Sequence, residues 1–139
     1  MEQLKINHGA VWVSVVLMFG LGFLWFGPLF GEQWMALVGL DMATLEANPP
    51  SATIWISNTI GTIIGVYVLA WLFTKMNVSS LGEGALTGLI IGFAFVFMSH
   101  MIGGLFAQAP YALAWINGGH DMAALTISGA VLGAWRKYA

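Results

Sequence analysis

Read as apolar and polar positions, the chain is four long apolar runs separated by short joints. The runs cover about Gly9 to Phe30, Ala52 to Phe73, Glu83 to Ala107 and Tyr111 to Trp135. Each is long enough to cross a bilayer core of ~30 Å, which takes ~20 helical residues. Backbone groups in lipid find no water, so each run is predicted as a helix that closes its own hydrogen bonds. Breaker residues mark the joints. Gly27-Pro28 and Gly31 end the first run, and Pro49-Pro50-Ser51 offers Ser51 as N-cap of the second. Asn77 to Gly82 is a polar turn, and Gln108-Ala109-Pro110 turns into the fourth run. Glu83 favours the positive end of the third helix.

The longest joint, Gly31 to Ser51, alternates Trp34, Met35, Leu37, Val38 and Leu40 with Glu32, Asp41 and Glu46. It reads as a short, partly helical interfacial segment between the first and second spans. The first run exceeds a typical signal-peptide core and ends in GPLFG rather than a small-x-small site, so it is expected to be retained.

Composition turns this pattern into a class. Hydrophobic residues make up 59% of the 139 and charged residues 7%. Soluble domains carry about 25% charged residues, so the chain reads as one all-α, integral membrane four-helix bundle over residues 1–139. No cysteine is present, which removes disulfides and thiolate metal sites. The net charge of -2 disfavours nucleic acid, leaving the lipid bilayer as the first partner. Lys5, Lys75, Arg136 and Lys137 fall on one side of a four-span topology and no Lys or Arg on the other, so both termini are expected in the cytoplasm. Trp12, Trp71 and Trp135 would form the inner aromatic belt, with Trp25, Trp34, Trp55 and Trp115 the outer one.

Lipid supplies no hydrophobic drive for helices to meet, so small residues matter. Gly61 and Gly65 are paired on the second run, Gly84, Gly88 and Gly92 on the third, and Gly129 and Gly133 on the fourth. Ser99 and Gly103 continue the third stripe two turns on. These are candidate helix-packing positions, within one chain or at the seam of a homo-oligomer.

The chemistry lies in polar residues at membrane depth. Asn58, His100, Asn117, His120 and Asp121 all fall in the outer half of their runs. Asn117 and Asp121 share a face at i, i+4, and Ser128 extends it. These faces are expected to converge into one polar cluster. A charged Asp at the bilayer centre costs about 2.5 to 3.5 kcal/mol even on insertion scales. Asp121 should therefore be paired, protonated or wetted. Two readings follow: a proton or cation relay with His100 or His120 as partner, or a hydrogen-bond network that knits helices. A metal site is disfavoured because His120 and Asp121 are adjacent and do not share a helical face. His8 reads as an interfacial residue and the methionines as core filling. Gly118-Gly119 either loosens the fourth helix or packs it tightly. No nucleophile, phosphate-loop or dinucleotide motif appears, so neither an enzyme nor a cofactor is expected.

The stretch Trp25-Phe26-Gly27-Pro28-Leu29-Phe30-Gly31, with Trp34, resembles a W-[YF]-G-P-L-F-G-x-x-W motif. Ile116 to Trp135 resembles the last span of the same family. That family comprises small four-helix bacterial membrane proteins catalogued only as a conserved domain of unknown function. The resemblance covers nearly the whole chain. It implies this topology and a bacterial cytoplasmic (inner) membrane, and it implies no activity. Two functions are therefore expected as alternatives. One is a proton, cation or small-solute transporter or channel acting as a homo-oligomer. The other is an accessory or scaffold subunit of a larger membrane complex.

Overall fold

Helix starts follow the polar residues that can cap them. The Asn7 side chain accepts from the Ala10 amide at 3.3 Å. Asp41 accepts from the Thr44 amide at 2.7 Å. Ser80 accepts from the Glu83 amide, and Glu83 accepts in return from the Ser79 amide at 3.0 Å. Ser51 takes the N-cap position of the next helix without a side-chain bond; its carbonyl accepts from Ile54 instead.

A computed structural model describes residues 3–138. The chain runs β1 (Leu4–Lys5), α1 (His8–Leu24), a π-helical turn (Trp25–Leu29), α2 (Gly31–Val38), α3 (Met42–Ala47), α4 (Ala52–Met76) and α5 (Leu81–Ile91). A second π-helical stretch (Gly92–Phe97) leads into α6 (Met98–Phe106), followed by α7 (Tyr111–Ala134) and β2 (Lys137–Tyr138). The interfacial joint is thus two short helices. Gly39 at the end of α2 has φ +76°, where a side chain would be strained.

Three stretches are long and apolar enough to cross a membrane: His8–Leu29, Ala52–Met76 and Leu81–Phe106. The fourth predicted span, α7, is a continuous helix of 24 residues but falls outside that set. Its Asn117, His120 and Asp121 lower its apolarity, and the fold compensates by covering it. α7 is the hub, touching α1 on one side and α5, the second π stretch and α6 on another. Large apolar side chains elsewhere point outward, Phe95 at 74% and Val16 at 69% exposure. An apolar surface of that extent is compatible with a membrane protein.

The buried core lies toward one end. Val11 and Val15 of α1 pack with Val66, Leu69, Ala70 and Phe73 of α4 and Leu132 of α7. At that end β1 pairs antiparallel with β2, Leu4 opposite Tyr138 and Lys5 opposite Lys137. The other half of α4 leaves the core, and residues 52–61 are exposed except Thr59.

Two glycine stripes form one seam. A Cβ on Gly84 or Gly129 would run into the other's backbone carbonyl, and one on Gly88 into the carbonyl of Leu125. Gly133 faces Ser80, and a Cβ on Gly92 would sit 2.9 Å from Met122 Cα. The expected continuation through Gly103 fails, because nothing lies within 4 Å of its Cβ position. The π-helical stretch Gly92–Phe97 turns the face between the two glycines. Gly61 and Gly65 likewise meet nothing within 4 Å, so they pack no helix within this chain. α4 leans away there.

Candidate functional site

Asp121 stands ten residues into α7, ~15 Å along the helix from Tyr111. Its carboxylate bridges two imidazoles. Oδ2 lies 2.9 Å from Nε2 of His100 on α6. Oδ1 lies 2.8 Å from Nδ1 of His120, its neighbour on α7. With Asp121 ionised, both rings donate to it, leaving about two of its four acceptor sites free. Adjacency on the helix thus does not keep His120 from Asp121; the short carboxylate and the ring edge meet across the helix surface. The side chains of Asp121 and His100 are 39% and 37% exposed, and that of His120 is 16% exposed.

The GPLFG turn builds one wall. Gly27 leaves helical geometry at φ -106°, ψ -105°, and the Phe30 amide bonds the Trp25 carbonyl five residues back at 2.8 Å. Gly31 is required because a Cβ would press on the Phe26 carbonyl oxygen at 2.6 Å. The turn aims three aromatic rings inward. Trp25 Nε1 donates to the Ile116 carbonyl at 2.9 Å. Trp34 Nε1, on α2, donates to Asn117 Oδ1 at 3.1 Å. Phe26 packs 5.1 Å from the His120 ring, between centroids, and Trp25 packs 6.1 Å from it. Trp25 and Trp34 thus stand against the site residues of α7. Nε2 of His120 is buried without a partner among the described residues, facing Gly22, where a Cβ would sit 3.7 Å away.

The second π stretch builds the other wall. It carries Phe97, whose ring and Cα fill the space beside Gly118, and Phe97 meets Trp115 edge-on at 5.0 Å. Gly119 lies under Trp25. Both glycines thus serve close packing, and α7 runs through them unbroken. His100 follows Phe97 by three residues, so the extra residue of the π stretch sets its direction toward α7.

Two clefts flank this bridge. One, of about 510 Å³ between α6 and α7, is lined by Ser99, His100, Gly103 and Asn117 among apolar residues. The other, of about 560 Å³ between α1 and α4, is lined by His120, Asp121, Asn58 and Thr62 with aromatic side chains.

Four of the five predicted polar residues gather here. His100, His120 and Asp121 are directly bonded, and Asn117 is tied to Trp34 beside them. Asn58 differs: it is exposed and lines the wider cleft, and its carbonyl accepts from Thr62 at 2.8 Å. It does not join the hydrogen-bonded cluster because α4 diverges at that end. Ser128, two turns further along α7, is fully buried in the helix packing, with its hydroxyl unpaired among the described residues. His8 bonds the Tyr67 hydroxyl at 2.8 Å, far along α1 from the site. Sequence reading missed Trp25, Phe26 and Trp34 as site residues. The signal was the glycine-proline break inside an otherwise apolar helix.

A family model described as "Protein of unknown function (DUF1761)" matches residues 9–133. No curated protein and no solved structure matches the chain.

Proposed function

The chain belongs to this family of unknown function, so activity must come from the site, and we propose a small transporter or channel that passes protons through His100, Asp121 and His120. The observation that carries this reading is the doubly bonded carboxylate between two clefts. Three titratable groups in continuous hydrogen-bond contact can hand a proton from one to the next. A proton taken up at Nδ1 of His100 leaves from Nε2 to Asp121 Oδ2. The neutral carboxyl, turned about Cβ–Cγ, delivers it to Nδ1 of His120 once that ring has taken the Nε2–H tautomer, and the imidazolium so formed gives up its Nε2 proton. Release then requires the His120 ring to move, because its Nε2 is enclosed beside Gly22, Trp25 and Phe26. His120 is thus the gate of the relay.

In this reading α7 is the fourth span of a four-helix bundle, both termini are cytoplasmic, and the protein works as a homo-oligomer in a bacterial inner membrane. A second reading, an accessory subunit of a larger complex, is favoured by Gly61 and Gly65. Their open face on α4 is free for another helix.

Proton flux into liposomes separates the two. Wild-type protein should carry flux that falls at least about tenfold in Asp121→Asn, a loss of ~1.4 kcal/mol or more in barrier terms. His120→Gln should slow it too. Absence of flux from wild-type and variant protein, both folded, would overturn the transport reading and leave the accessory one.

A further inference from the structure

The wider cleft has a chemistry of its own. α1 and α4 diverge at the outer end, and the gap between them is walled by Phe19, Phe23, Phe26, Trp34 and Trp55. Phe23 and Trp55 stack across it, ring centroids 6.2 Å apart and planes at 25°, so an aromatic pair joins the two helices where their backbones separate. Asp121 lines the same cleft, with part of its carboxylate exposed. Among the described residues no Lys or Arg lines it.

Aromatic faces and one carboxylate are complementary to positive charge. They are poorly matched to a bare metal ion, because Ca²⁺ takes 6–8 oxygens and Mg²⁺ near-octahedral oxygen ligation. The cleft offers the Asp121 carboxylate and the side chains of Asn58 and Thr62, and the Thr62 hydroxyl already donates to the Asn58 carbonyl. A neutral apolar guest would fill the walls but cover the exposed part of the carboxylate, leaving its free acceptor sites without charge or donor. A cation with its charge on nitrogen and an apolar body satisfies both. The volume of about 560 Å³ lies within the range of roughly 300–1,000 Å³ for small-molecule sites.

We infer that the cleft between α1 and α4 binds a lipophilic ammonium cation, its charge against Asp121 and its body among the aromatic rings. The inference deepens the transport reading and rests on it only for the claim that the bound cation moves. Binding competes with the relay, because the cation holds Asp121 ionised. Phe23 and Trp55 form the side door toward the bilayer.

The test is equilibrium dialysis of benzyltrimethylammonium against the detergent-solubilised full chain, with its uncharged carbon isostere as control. Saturable binding of the cation is expected, at least about tenfold tighter than that of the isostere. Asp121→Asn should weaken it by a similar factor. Trp55→Ala should weaken it severalfold, and Trp55→Phe should restore it; position 55 is exposed, so both variants should fold. Equal binding of cation and isostere, or cation binding indifferent to both Asp121→Asn and Trp55→Ala, would overturn the inference. Proton flux is read separately in liposomes. Flux without cation binding removes this inference alone, and cation binding without flux removes the transport reading alone.

Discussion

A carboxylate on a mostly apolar helix is held by what donates to it. Asp121 is bonded to two imidazoles, and the polar ring around that trio extends through Asn117 to Trp34. Trp34→Phe keeps the ring and deletes the donor, leaving the half-buried Asn117 oxygen unsatisfied. That should destabilise the fold by about 1–3 kcal/mol, read as a lower midpoint in detergent unfolding. Asp121→Asn should cost flux first and stability second, which distinguishes a relay from a clamp. In the joint between α1 and α4, Asp41 caps α3, and hydrogen bonds from the Thr44 hydroxyl and amide hold its carboxyl below the usual carboxylate range. A folded-state value below the unfolded one means that the stabilisation is complete above the ordinary range. It is lost as pH falls through the lowered value. Amide exchange at Thr44 should therefore accelerate only at that acidic limit, and not in Asp41→Ser, whose cap does not titrate. At this scale the sequence exposed the chemistry well. Polar residues inside apolar runs cannot hide, and His100, Asn117, His120 and Asp121 stood out for that reason. Their aromatic partners did not, because a tryptophan near a helix end reads equally as a belt residue.

Between helices the governing quantity is how closely backbones approach. α5 and α7 meet through Gly84, Gly88, Gly129 and Gly133, where an added methyl has no room. Gly88→Ala or Gly129→Ala should push these helices apart and cost about 1–3 kcal/mol or more, because the obstructing atoms are backbone. Gly61→Ala meets nothing in this chain and should be neutral, or stabilise by roughly 0.5–1 kcal/mol through helix propensity. If Gly61→Ala instead weakens a cross-linked oligomer, α4 is the seam between copies. The i, i+4 glycine pattern announced close packing in three helices alike. It did not say which stripe is occupied, since that depends on where α4 leans, a tertiary property. The two π stretches were equally hidden. The first left a trace in Gly27-Pro28, while the second lies in GFAFVF, which carries no breaker after Gly92 and reads as ordinary helix.

For the molecule as a whole, three stretches are long and apolar enough to cross a bilayer, and α7 is not among them. Helix directions bear on whether it crosses. α1 and α7 run antiparallel, with the Asn7 side chain bonded to the Trp135 carbonyl at one end and Trp25 bonded to Ile116 at the other. The β1–β2 pair then holds Lys5 beside Lys137. Three crossings would put the chain ends on opposite sides and break that pair; four keep it. α7 tolerates its polar run because its neighbours, rather than lipid, cover much of it, with Ala114, Ile116, Gly118, Ala124 and Ser128 buried. The chain has no cysteine, so single cysteines report topology without background. Lys5→Cys and Lys137→Cys should react with an impermeant maleimide only after the cells are opened. Glu46→Cys, in the joint between α1 and α4, should react in intact cells. Labelling of Lys137→Cys but not Lys5→Cys from outside would mean that α7 does not cross, and the relay would then lie outside the membrane, where it could move no proton across it.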